Sequence, residues 1–145
     1  MVGVGRGGIG ALDGSVGSRV AVLVRTLQIA AALSVLTIVW QGASAGEFLM
    51  RHRTALEYHQ AGAIALHVFT AVTAITAFVL SRAVRGPRWP TVLAAVVFLA
   101  SIVQAALGHE ATLYLHVPLA LVVMLGSAWV LAWAVLFPRT TGRTS

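Results

Sequence analysis

In a chain of 145 residues, 59% are hydrophobic and only 10% charged, and the mean hydropathy is +0.90. That balance excludes an ordinary water-soluble domain, whose core could not hide so much apolar surface. The formal charge of +6 comes from ten arginines dispersed between apolar runs, with no lysine. A nucleic-acid-binding face, which would gather basic and aromatic residues, is therefore not expected. The absence of cysteine excludes disulfides, thiolate metal sites, iron–sulfur clusters and covalent c-type haem attachment.

Residues 1–19 are rich in glycine and serine, lack a helical apolar period and read as a flexible tail. The first span is expected over residues 20–45, closing on the small-residue run Gln41-Gly-Ala-Ser-Ala-Gly46. Because Ala43-Ser-Ala45 resembles a signal-peptidase site, a cleaved signal peptide is the rival reading of this segment. Its apolar stretch is, however, longer than the ~7–15 residues of a signal core. A polar connection leads to a second span over 56–80, and the basic, proline-containing turn SRAVRGPRWP leads to a third over 90–107. After the short link GHEAT comes a fourth span over 113–137, then a polar tail, 138–145. With about 20 residues needed per crossing, four spans nearly exhaust the chain. Short links make neighbours antiparallel, so the expected architecture is an all-α, up-down-up-down membrane four-helix bundle.

Eight arginines (6, 19, 25, 82, 85, 88, 139 and 143) fall at the chain ends and in the middle turn, against Arg51 and Arg53 in the opposite connections. This asymmetry predicts that both termini are cytoplasmic and that the chain is a multi-pass protein of the cell's inner membrane. Trp40, Phe48, Tyr58 and Tyr114 then mark the outer interface, and Trp89, Trp133 and Phe137 the inner one.

All five histidines fall on the outer half. His52 and His109 are in connections, His59 and His116 lie near the outer ends of the second and fourth spans, and His67 lies deeper, with Glu47, Glu57 and Glu110 nearby. In such a bundle the second and fourth helices are diagonal, with axes about 14 Å apart when neighbours pack at ~10 Å. Two imidazoles and a haem iron span that gap, and a neutral ring nitrogen suits the iron while the other donates to a nearby acceptor. His59 and His116 are the candidate axial ligands. Interfacial histidines that merely bond headgroups, water or backbone are the plainer alternative. His67, about 12 Å below His59 by helical rise, is too far to serve the same haem and needs a partner within the bundle. An alternative metal cluster is His52, His109 and Glu110. Pro118 is expected to release the carbonyl of Tyr114 and to kink the fourth helix. No nucleophile–base pair, phosphate-binding loop or zinc motif is present, so the chain is not expected to be an enzyme on its own.

The segments LEYHQAG (56–62), VQAALG (103–108) and LHVPLA (115–120) resemble a family of small four-helix bacterial membrane proteins of uncharacterised function, over residues 36–137. The chain is similar, more distantly, to one half of haem A synthase. That resemblance implies His59 and His116 as axial ligands, Glu57 as a nearby acid and Gln104 beside the site. The chain departs from the synthase in having one bundle instead of two and in placing its glutamate two residues before the histidine. The expected functions are b-type haem binding for electron transfer or haem handling, or else a non-catalytic membrane subunit or scaffold. A proton- or metal-handling site is a third reading. Expected partners are the lipid bilayer, membrane proteins or further copies of the chain.

Overall fold

The computed structural model describes residues 7–50 and 54–141, with side chains over 16–47, 50, 54–109 and 111–136. Four helices follow one another: α1 (Gly7–Leu49), α2 (Thr54–Ala83), α3 (Trp89–Ala106) and α4 (Leu113–Thr141), the last preceded by a 3₁₀ turn at Glu110–Thr112. Each is long and apolar enough to cross a membrane. The chain is thus a multi-pass membrane protein with a four-helix fold.

The first helix starts earlier than expected, because the glycine- and serine-rich segment is helical from Gly7 and runs without a break into the span. Once a long apolar helix has formed, each added residue gains a backbone bond without a new nucleation cost, which offsets poor local propensity. At the far ends, α2 and α4 exceed the expected spans by a few residues, and α4 is helical on both sides of Pro118.

Each helix packs on its two neighbours in the ring α1–α2–α3–α4–α1, so α2 and α4 are diagonal. The end carrying the α2–α3 turn is filled by Leu27, Ala31, Ala77, Leu80, Ala94, Val130 and Ala134. There Gln28 Nε2 donates to the Ala134 carbonyl at 3.0 Å, tying α1 to α4, and Trp89 meets Trp133 edge-on at 5.8 Å. Mid-bundle, hydroxyls from all four helices are buried: Ser34, Thr70, Thr73, Ser101 and Ser127. Ser34, Thr70 and Thr73 donate to carbonyls four residues back, and Ser101 to one three residues back. Small residues that satisfy themselves locally let helix backbones approach closely in lipid.

The α2–α3 turn closes through Gly86 N–H donating to the Ser81 carbonyl at 3.2 Å, with Arg85 at φ 48°. A left-handed residue at this position is usually glycine, and a side chain there costs about 1 kcal/mol. Arg85→Gly is accordingly expected to raise the thermal unfolding midpoint in detergent by relieving about that much strain. Pro90 sits in the first turn of α3, where its missing N–H has no helical partner to lose.

Candidate functional site

The opposite end carries the α1–α2 and α3–α4 connections and is built differently. His59 lies in the second turn of α2 and His116 in the first turn of α4. From these diagonal helices the two rings converge, with centroids 6.3 Å apart and planes inclined at 48°.

Each ring is held by a neighbouring helix through a main-chain carbonyl. His59 Nδ1 lies 3.2 Å from the Gln41 carbonyl oxygen and 3.1 Å from Ser44 Oγ, and Ser44 Oγ also donates to the Gln41 carbonyl. His116 Nδ1 lies 2.7 Å from the Gln104 carbonyl oxygen. A carbonyl only accepts, so the proton of each neutral ring is on Nδ1 and the Nε2 lone pair is left to face other groups. For His116 that lone pair meets the side-chain amide of Gln104, whose Nε2 lies at 3.0 Å. Gln104 therefore grips both nitrogens of one ring. An ideal Cβ at Gly108 would stand 3.1 Å from the Ala105 carbonyl and 3.4 Å from His116 Cε1, so the α3–α4 link lies flush against the His116 ring.

Beside the rings is a cavity of about 470 Å³, within the range of about 300–1,000 Å³ usual for small-molecule and cofactor sites. α1 lines it with Ile38, Val39, Gln41, Gly42, Ala45 and Gly46, and α4 with His116, Val117, Ala120, Leu121, Val123 and Met124. His59 and Leu66 of α2 and Gln104 of α3 complete the wall. The lining is apolar except for the two imidazoles and two amides gathered at one end. Val39, Gly42, Gly46, Val117 and Leu121 are exposed on the flank of the bundle, so the cavity opens sideways between α1 and α4. Gln41 is buried with its Oε1 unpartnered over Gly62, where an ideal Cβ would come within 2.7 Å.

Not every residue expected here joins the site. Glu57 is exposed in the first turn of α2 and is not part of the cavity wall. Two residues along a helix turn the side chain by about 200°, which sends Glu57 away from the face His59 uses. Its acid favours the helix N-terminus instead. His67 is accounted for structurally, since its Nε2 lies 3.2 Å from the Ser101 carbonyl and so donates across to α3. His109 is exposed and lies beside Thr112, with ring nitrogens 3.3 and 3.5 Å from its hydroxyl. His52 and the Glu110 side chain lie outside the described residues, and among the described residues no three or more His, Asp or Glu gather as a metal cluster. Gln41, Ser44, Gly42 and Gly46 were not expected at the site. Their signal is the run Gln41-Gly-Ala-Ser-Ala-Gly46, whose small residues leave room beside a polar pair.

Fold and site define a polytopic α-helical membrane protein with a paired-imidazole pocket at one end of its bundle. Comparisons with protein-family models, with curated proteins and with solved structures find no match to this chain.

Proposed function

We propose that this chain binds a b-type haem between His59 and His116 and uses it to pass electrons or to handle haem at the outer face of the cell's inner membrane. Both termini are cytoplasmic in this reading, as the arginine asymmetry favours.

The observation that carries the reading is the approach of the two rings. Two imidazoles sharing one metal through bonds of about 2 Å, with about 1.1 Å from each nitrogen to its ring centre, would stand about 6 Å apart between centroids. The separation here is 6.3 Å. Each Nδ1–H is committed to a carbonyl, the outer contact that fixes tautomer and raises basicity in metal-bound histidines. The adjoining cavity supplies an apolar bed for a flat macrocycle. His59 and His116 would hold the iron, and the group when bound would supply one-electron chemistry. A scaffold acting only through its outer surface has no need of this cavity or of the ring pair beside it.

Protein purified in detergent from haem-replete cells is expected to show a low-spin b-type reduced-minus-oxidised spectrum with about one haem per chain. Its absence under those conditions would sink the reading and leave a membrane subunit or scaffold. The cavity itself is open to test at Gly42, where an added Cβ meets nothing within 4 Å. Gly42→Leu is expected to lower haem per chain at least severalfold with an unchanged unfolding midpoint of the haem-free protein.

A further inference from the structure

The two histidines are not equivalent. No protein group engages His59 Nε2 among the described residues, and the ring is fixed from behind by Gln41 and Ser44. His116 Nε2, by contrast, already accepts a hydrogen bond from the Gln104 amide at 3.0 Å. The direction of that bond follows from the other nitrogen. At 2.7 Å from a carbonyl oxygen, Nδ1 must carry the ring proton, so Nε2 of the neutral ring offers only a lone pair and the amide must be the donor. Gln104 is buried, and its amide competes in a place where few waters compete with it.

We propose that Gln104 is a positioning residue that holds the lone pair of His116 in reserve, which makes His116 the exchangeable member of the pair and His59 the permanent one. The proposal rests on the haem reading above. Any metal at His116 must displace the amide, and when His116 is released the amide recaptures it. A small exogenous ligand would then take the place His116 gives up, and the withdrawn ring would be held on Gln104 at both nitrogens. Gln104 touches neither iron nor ligand in this account and acts only through His116.

The test compares wild type with Gln104→Leu, a substitution of similar volume that removes the amide and keeps the main-chain carbonyl. Haem content reads the underlying proposal, and carbon monoxide affinity of the reduced protein reads this one. Wild type is expected to bind carbon monoxide, and Gln104→Leu to bind it about tenfold more weakly per bound haem, because the released His116 then has no competing partner. Equal affinities per bound haem would overturn the proposal and leave the haem reading standing. No haem in wild type would overturn both. Should Gln104→Leu fail to fold, imidazole ¹⁵N spectra of the haem-free wild type decide: Nδ1–H on both rings, with a hydrogen-bonded Nε2 on His116 alone, is the expected pattern. An Nε2–H tautomer at His116, or two alike Nε2 signals, would overturn the proposal.

Discussion

His59→Ala, produced under haem-replete conditions, is expected to retain less than about a tenth of the wild-type haem, a loss of at least ~1.4 kcal/mol in binding. His116→Ala is expected to lose the low-spin spectrum while retaining five-coordinate haem. The asymmetry follows from the surroundings of the two rings. His59 is braced by the Gln41 carbonyl and Ser44 Oγ with its Nε2 unengaged among the described residues, whereas His116 Nε2 accepts from the Gln104 amide. Ser44→Ala removes one of two braces on His59 and leaves the carbonyl, so it is expected to weaken haem retention by about tenfold at most, in the lower range for outer contacts of metal ligands. Haem per chain, measured after detergent extraction and gel filtration, orders these variants. Equal loss in His59→Ala and His116→Ala would count against the asymmetry, and no loss in either would remove the paired-ligand reading.

The pairing of His59 with His116 was legible in the sequence because helical rise fixes depth. A histidine near the start of the second span and one near the start of the fourth lie at the same level in an antiparallel ring, and the diagonal follows from short links. Their restraints were not legible. Both Nδ1 atoms are anchored on main-chain carbonyls, of Gln41 and Gln104, and a carbonyl leaves no trace in residue identity. Gln41 and Ser44 also stand in a small-residue run that reads simply as the close of the first span. Glu57, which the resemblance implies as a nearby acid, is exposed and not part of the cavity wall. Its two-residue offset from His59 already contained the turn of about 200° that separates them. Composition understates the extent of α1, since glycine and serine mark poor nucleation sites but do not stop a helix already propagating from the apolar span.

Among the described glycines, Gly126 is the one where an added Cβ would meet its nearest neighbour most closely. An ideal Cβ there would collide with Val97 Cγ2, with Leu93 Cδ1 and Val97 Cβ at 3.8 and 3.9 Å. Val97 is itself buried, 5% exposed, against Leu66 and Val123. A β-branched side chain on a helix has essentially one rotamer, so Val97 cannot swing aside. Gly126→Ala therefore forces α3 and α4 apart or strains Val97, at a cost of about 1–3 kcal/mol. Adding Val97→Ala removes the colliding methyl, and the double variant is expected to recover most of that loss, less the smaller cost of the missing methyls. Unfolding in detergent, followed for wild type, both single variants and the double, gives the coupling between the positions directly, and residues in contact are expected to couple by about 0.5–3 kcal/mol. Additive losses would mean that α3 and α4 do not meet through these two residues. Because Gln104 on α3 and His116 on α4 depend on the same interface, haem retention should fall in Gly126→Ala and return in the double variant. A stability rescue without a return of haem would place the site's geometry on the connection at Gly108 rather than on the helix packing below it.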